Sequence, residues 1–94
     1  MRRPRFGVET RVTAAVAEVI KASGLSLRGM AERISVSPAY LSDVSRGLRP
    51  LSRNMAEALS RLKPRRTVRA WLLLQLDDDM DALTRERARV AAQP

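Results

Sequence analysis

Apolar residues recur every three or four positions in block after block of this chain, and no segment alternates apolar and polar residues as a β-strand does. The block around Met30 is typical, because its apolar residues stand at i, i+3, i+4 and i+7 and so share one face of a helix. These residues are Leu27, Met30, Ala31 and Ile34. Such a periodicity predicts an all-α fold.

Cap residues divide the periodic segments into five predicted helices. Gly24 and Gly47 stand where helices end, because glycine adopts the left-handed conformation of a C-cap at little cost. Serines are predicted to cap three helix starts, and a proline follows one of them at the first helical position. These residues are Ser26, Ser37-Pro38 and Ser52. The first helix is expected over 10–22, and the last from near Pro64 to well past Leu76. The fourth is expected to bury Met55, Ala58, Leu59 and Leu62.

The charge balance indicates a polyanionic partner. The 94 residues carry 18 Lys plus Arg against 10 Asp plus Glu, a formal net charge of +8 with an isoelectric point near 11.5. All basic residues except Lys21 and Lys63 are arginines, which suits bidentate contacts with phosphate and guanine, although a GC-rich genome explains the bias equally well. Aromatic residues make up only 3%, too few for the stacking platforms that bind single strands. Duplex nucleic acid is therefore favoured.

Other classes of function are disfavoured by the residue types that the chain lacks. With no cysteine and no histidine, it has no disulfide framework, no thiolate zinc site, no Cys or Ser/His nucleophile system and no histidine base. We therefore expect no enzyme activity and no cofactor. The longest apolar run, residues 70–74, is far shorter than the ~20 residues of a membrane-spanning helix, and no apolar signal segment follows the basic N-terminus. A cytoplasmic protein without membrane contact is expected.

The acidic run Asp77-Asp78-Asp79, with Asp81 beyond it, is the one feature that suggests a metal site. Neighbouring residue types supply no further hard ligands, so we expect no metal there. The run is instead expected to be a solvated stripe that pairs with Arg85 or with basic residues of a partner helix.

The segment over residues 25–50, LSLRGMAERISVSPAYLSDVSRGLRP, resembles the helix-turn-helix of the phage repressor and Cro family, often called the xenobiotic-response-element type. The family has a small residue where this chain has Ala31, Arg or Asn then Gly where it has Arg46-Gly47, and apolar residues at five further positions. Those five are Met30, Ile34, Val36, Leu41 and Val44. The small residue is needed because two short helices crossing at about 90–120° touch at one point.

The resemblance covers roughly residues 12–62 and implies a five-helix lambda-repressor-like DNA-binding domain with an extended C-terminal helix. It divides the chain into a basic N-terminal arm (1–9), a helix-turn-helix domain (10–63) and a C-terminal helix (64–94) that is expected to serve dimerisation. The motif itself is expected over 26–46, with its recognition helix over 37–46.

Two residues depart from the family pattern. Ser35 stands at a turn position where the family commonly has Gly, so either the turn avoids the left-handed conformation or Ser35 adopts it at a cost of about 1 kcal/mol or more. Leu27 stands where many relatives have a Gln that binds a phosphate and braces the recognition helix. That phosphate is either left without this partner or bound by a neighbour such as Arg28.

By resemblance, the recognition helix enters the major groove with its N-terminal half, and five side chains are expected to face base edges. They are Pro38, Ala39, Tyr40, Ser42 and Asp43. Asp43 either accepts a hydrogen bond from the amino group of cytosine or orients Arg46 or an arginine of the preceding helix. Tyr40 lies off the apolar face, where it either contacts sugar, methyl or phosphate or lies flat over the motif.

Phosphate contacts are expected on both sides of the recognition helix. They are assigned to Ser26, Arg28, Ser37, Arg46, Arg49 and Arg53. In the arm, Arg2, Arg3 and Arg5 are expected to reach a neighbouring minor groove. A solvated face is an adequate explanation for any one of these arginines, but four of them around one helix favour a phosphate clamp.

These expectations describe a transcriptional regulator of the bacterial cytoplasm and nucleoid, most simply a repressor, that binds a pseudo-palindromic operator in duplex DNA as a homodimer. In the last helix, Val68, Trp71 and Leu72 are expected to pack on the domain. The residues expected to form the dimer interface are Leu73, Leu76, Met80 and Leu83. An alternative function is that of an antitoxin, because antitoxins of toxin-antitoxin pairs often carry this motif and bind a protein toxin.

Overall fold

The computed structural model describes residues 9–92. Within that range the chain forms five α-helices and no β-strand, which confirms the predicted fold class. The helices are α1 (Arg11–Ser23), α2 (Leu27–Arg33), α3 (Pro38–Ser45), α4 (Arg53–Leu59) and α5 (Val68–Ala92). None of these helices is long and apolar enough to cross a membrane. The arginines predicted for the arm, Arg2, Arg3 and Arg5, lie outside the described residues.

Hydroxyl caps fix where the helices begin. The residue before each of the first four helices accepts a hydrogen bond on its side-chain oxygen from a backbone N–H of the first turn. These residues are Thr10, Ser26, Ser37 and Ser52. The three predicted serine caps are confirmed, and α1 begins at Arg11 because Thr10 is its cap.

Helix α5 begins later than the predicted start near Pro64. The hydroxyl of Thr67 accepts a hydrogen bond from the N–H of Ala70 at 3.0 Å, so Thr67 caps this helix and Val68 is its first residue. Proline suits the first turn of a helix, but the segment from Pro64 to Arg66 is irregular, because the cap that starts the helix is Thr67.

The hydrophobic core lies where α5 packs across α1 and α4. Trp71 of α5 is fully buried there, in one cluster with Val16 and Val19 of α1 and Leu59 of α4, which are also fully buried. Burying a large apolar side chain contributes roughly 1.5–3 kcal/mol. As predicted, Val68 and Leu72 also pack on this core, so one face of α5 belongs to the domain.

Helix α4 buries Ala56, where Ala58 was predicted. The helix has only seven residues, and its inward face is centred on Met55, Ala56 and Leu59. At 100° per residue, Ala58 lies at the edge of that face and is half-buried. The predicted burial of Met55 and Leu59 is confirmed.

Two polar side chains fasten α5 to the rest of the domain. The carboxylate of Asp78 accepts hydrogen bonds from the backbone N–H groups of Arg11 and Val12, each at 3.0 Å. These groups belong to the first turn of α1, where free N–H donors and the positive end of the helix dipole favour a carboxylate. Gln75 accepts a hydrogen bond on Oε1 from the N–H of Leu51 at 2.7 Å. Helix α5 is therefore tied both to α1 and to the loop between α3 and α4.

The acidic run is only partly the solvated stripe that the sequence suggests. The side chain of Asp78 is 9% exposed, and Asp81 forms its ion pair with Arg11 rather than with Arg85. Asp81 raises the pKa of the Arg11 guanidinium through this hydrogen bond and its charge. The N-terminus of α1 attracts these carboxylates, and the spacing of residues along α5 alone does not predict these contacts. Within residues 9–92, no group of three or more His, Cys, Asp or Glu residues is placed to hold a metal ion.

Candidate nucleic-acid interface

Helices α2 and α3 pack against each other through fully buried side chains. Met30 and Ala31 of α2 and Leu41 and Val44 of α3 are each 0% exposed. Both helices belong to one core with α1, which contacts each of them. Residues 27–45 therefore form two short helices joined by a tight turn, with one side of α3 facing inward.

The turn after α2 uses a left-handed serine. Ser35 has φ 58°, its N–H donates to Glu32 O at 3.2 Å, and the N–H of Val36 donates to Ala31 O at 3.0 Å. This pair of hydrogen bonds is the Schellman arrangement that closes a helix. Of the two conformations that the sequence allows at Ser35, the strained one is therefore present, at a cost of about 1 kcal/mol or more.

The same arrangement ends α3, and it directs the chain back over the helix. Gly47 has φ 75°, its N–H donates to Val44 O at 3.1 Å, and the N–H of Leu48 donates to Asp43 O at 2.8 Å. Glycine adopts this conformation without the strain that Ser35 carries. The turn places Arg49, in the loop before α4, close to the side chain of Asp43.

The residues predicted to face base edges lie on the outward side of α3. Pro38 and Ala39 are exposed, and Ser42 and Asp43 are half-buried. At 100° per residue these four share a face opposite Leu41 and Val44. Tyr40 is half-buried at the margin of this face, beside the core.

A small charged network covers the C-terminal half of α3. Asp43 Oδ1 lies 3.4 Å from Arg46 Nη2, and Asp43 Oδ2 lies 3.2 Å from Arg49 Nε. The guanidinium carbon of Arg49 lies 5.9 Å from the centre of the Tyr40 ring. Among the described residues, the buried Nε of Arg46 has no partner. Exposed ion pairs are worth at most about 1 kcal/mol, so an incoming anion competes readily for both arginines.

The other residues assigned to phosphate contacts are spread over three helix starts. Ser26 and Ser37 use their hydroxyls as N-caps, accepting from Gly29 N–H at 3.1 Å and Tyr40 N–H at 3.0 Å. Arg28 is exposed in the first turn of α2. Arg53 is exposed at the start of α4, where it pairs with Glu57 at 3.4 Å.

One residue that helps to position this surface has no helix-period signal in the sequence. Gln75 of α5 accepts a hydrogen bond from the backbone of Leu51, which lies in the same loop as Arg49. The sign available in the sequence was a glutamine between two leucines of an apolar segment, but its partner is 24 positions away in the chain. The position of the loop therefore depends on α5.

Five helices, with a tight turn joining α2 to an α3 whose polar face is outward, define the fold of helix-turn-helix DNA-binding proteins. Solved structures of that fold match this chain. Antitoxin HigA of Pseudomonas aeruginosa, determined with the higBA promoter, matches with a TM-score of 0.75 and 19% identity over 89% of this chain and 90% of its own. A putative antidote protein of a plasmid maintenance system from Nostoc punctiforme has a TM-score of 0.68 and 19% identity over 95% and 100% of the two chains.

A third structure, the clp gene regulator ClgR of Corynebacterium glutamicum, has a TM-score of 0.56 and 26% identity over 93% of each chain. No protein-family model and no curated protein sequence matches this chain. These likenesses establish the fold over 89–95% of the chain.

Proposed function

We propose that this chain is a transcriptional regulator that binds duplex DNA sequence-specifically as a homodimer, most simply as a repressor on a pseudo-palindromic operator. The observation that carries the proposal is the outward face of α3, where Pro38, Ala39, Ser42 and Asp43 are accessible beside exposed arginines. A net charge of +8 gives the attraction to a polyanion that such a surface needs.

In the proposed complex the N-terminal half of α3 enters the major groove. Pro38 and Ala39 contact thymine methyl groups, and Ser42 donates to or accepts from a base edge. Arg46 and Arg49 exchange their ion pairs with Asp43 for phosphates, whose oxygens can accept two hydrogen bonds from one guanidinium. Arg28 contacts the backbone on the other side of α3. Occupying a promoter in this way blocks transcription without any further surface.

Self-association follows from the length of DNA that one recognition helix reads. A regulatory site normally needs two such helices, placed about 34–36 Å apart on a pseudo-palindrome. The face of α5 turned away from the domain is apolar and open, with Leu73 49%, Leu76 53%, Met80 55% and Leu83 63% exposed. An apolar face of this kind on a charged protein is typical of an interface. We assign it to the dimer.

Base preference tests the role of α3. In a selection from random duplexes, Tyr40→Ala and Asp43→Ala are expected to change which bases are preferred. Each substitution is expected to lower the discrimination against the wrong base by about 1–3 kcal/mol. Arg28→Ala is expected to weaken binding to all duplex sequences alike. Arg61→Ala makes an identical change of charge away from α3 and serves as the control. If Asp43 only orients arginines, Asp43→Ala will shift the affinity for every duplex and leave the preference intact. Unchanged preference and affinity in both α3 variants would contradict this placement of the recognition helix.

The likeness to two antitoxin-type proteins favours a second function, an antitoxin that binds a protein toxin and represses its own operon. The gene next to that of this chain gives the test. If that gene encodes a toxin, its expression alone is expected to arrest growth, and co-expression of this chain is expected to restore it through a stable complex of the two proteins. If the neighbouring protein does not affect growth, the antitoxin function is contradicted and only the function of a transcriptional regulator remains.

A further inference from the structure

The open face of α5 carries a regular apolar pattern that continues beyond the domain. The spacing between successive positions alternates between three and four residues, as at the a and d positions of a coiled coil. We call these positions the α5 seam, and they are Leu73, Leu76, Met80, Leu83, Arg87 and Val90. All six are exposed, and Arg87 is the only charged residue among them. From Asp81 to Ala92 the helix is exposed on every side, so the domain itself covers none of the second half of the seam.

Charge is distributed unevenly along the two halves of this seam. Asp77 and Asp79 flank its first half, whereas its second half contains Arg87 and, beside it, Glu86 paired with Arg89. Arg87 has no ion-pair partner within the described chain. The unpaired Arg87 of one copy and the two carboxylates beside the first half of another are complementary when the two helices run in opposite directions.

We propose that two copies of α5 pair antiparallel along this seam, about a two-fold axis that passes between residues 81 and 82. The inference rests on the self-association proposed above and adds its direction and register. This axis fixes three contacts between the two copies, because the two residues of each contact lie equally far from the axis along the helix and on opposite sides of it. Leu73 faces Val90 of the second copy, Leu76 faces Arg87, and Met80 faces Leu83.

Arg87 decides between the two directions of pairing. In a parallel pair in register, the two Arg87 guanidinium groups occupy the same layer and repel each other in a partly dehydrated seam. In the antiparallel pair the stem of Arg87 covers Leu76, and its guanidinium reaches Asp77 or Asp79 beside it. Antiparallel pairing therefore neutralises Arg87, the one charged residue of the seam. Because the pair is two-fold symmetric, this contact forms twice.

The surface beside Leu73 provides a place for the far end of the second helix. An open groove of about 440 Å³ is lined by Val68, Leu72, Leu73 and Leu76 together with Arg53 and Arg69. In the proposed register, Val90 of the second copy enters this groove. The last turn of its α5 then lies beside Arg53 and Arg69, which favour the negative end of a helix dipole. The apolar floor suits the side chain of Val90 better than it suits solvent.

Disulfide cross-linking tests the direction, because the chain contains no cysteine of its own. Two variants are prepared with tags of different size, one with Leu73→Cys and the other with Val90→Cys. Mixed and oxidised, they are expected to give a cross-linked heterodimer in high yield, while each variant alone gives little. In the antiparallel pair, the two copies of residue 73 lie about 26 Å apart, far beyond the ~7 Å limit for a disulfide.

A cross-link formed by either variant alone would establish parallel pairing and overturn the proposal. A dimer in sedimentation without any of these cross-links would also overturn it, by placing the interface elsewhere. Duplex binding is measured on the same samples. If the cross-links contradict the register but the protein still binds duplex DNA sequence-specifically, only the register is wrong. If sequence-specific binding is also absent, the proposed function itself fails.

Charge reversal tests the role assigned to Arg87. Arg87→Glu is expected to raise the dimer dissociation constant about tenfold, since two partly exposed ion pairs become two repulsions. Arg85→Glu makes the same change of charge on the side of the helix away from the seam and is the matched control. Combining Arg87→Glu with Asp77→Arg is expected to recover part of the affinity. Equal effects of the two single variants would show a general charge effect and contradict the register.

Discussion

Raising the salt concentration from 50 to 200 mM is expected to lower the affinity of this chain for its duplex by about 10³- to 10⁵-fold. A dimer that contacts six to ten phosphates releases a comparable number of condensed counterions, and added salt opposes that release. The arginines assigned to phosphates suit this behaviour, because they are exposed or lie in weak surface ion pairs. The measurement is the slope of log affinity against log salt for one duplex.

Single arginine variants show which side chains bind phosphates. Arg28→Ala or Arg49→Ala is expected to flatten the slope by about 0.9 for each phosphate that the bound dimer no longer neutralises. Arg61→Ala, which removes the same charge at a distance from α3, is expected to leave the slope unchanged. A salt profile that is flat for the unaltered protein would rule out electrostatic binding to a nucleic-acid backbone and with it the proposed function.

The parts of the fold that could be predicted from the sequence are those set by neighbours in the chain. A serine with a proline after it, as at Ser37 and Pro38, has a nearly fixed effect on the backbone, so the start of α3 is predicted to the residue. The outward face of α3 follows in the same way, because a 100° rotation per residue depends only on the helix. Local chemistry is therefore enough to place the candidate base-contacting residues on one surface.

The features that escaped prediction depend on partners far away in the chain. Asp78 looks like one member of a solvated acidic run, and only the packing of α5 brings it to the first turn of α1, 66 and 67 positions away. Gln75 and Leu51 meet for the same reason. Asp43 is an intermediate case. Its pairing with Arg46 follows from helix spacing, whereas its second partner, Arg49, arrives only because Gly47 turns the chain back.

This tertiary fastening gives α5 a further role in the candidate site. Through Gln75 it holds the loop that carries Arg49, and through Asp78 it is anchored to α1. Hydrogen bonds thus connect α5, which bears the open apolar face, to the surface proposed to meet DNA. A second copy bound to that face places its own α3 at a defined distance, which is the geometric requirement of a two-part operator.

The double substitution Leu76→Asp with Leu83→Asp is expected to leave the domain folded but monomeric. Both side chains lie on the open face of α5, at 53% and 63% exposure, while Trp71 on the opposite face remains buried in the core. Helical circular dichroism and thermal unfolding are therefore expected to change little. Burial of about four apolar side chains per subunit supplies on the order of 6–12 kcal/mol before the cost of association, and four aspartates in one interface abolish it.

The double substitution is expected to affect DNA binding much more than it affects the folding of the domain. A monomer contacts one half-site only, so its affinity for the operator is expected to fall towards the non-specific level, typically 10³- to 10⁷-fold weaker. Ala82→Asp with Ala88→Asp adds the same two charges to exposed positions outside the α5 seam and is the matched control. Sedimentation measures the state of association and titration of a labelled operator measures binding. If the leucine variant stays dimeric, the interface lies elsewhere; if it is monomeric yet keeps full operator affinity, a single recognition helix suffices and the two-part operator is wrong.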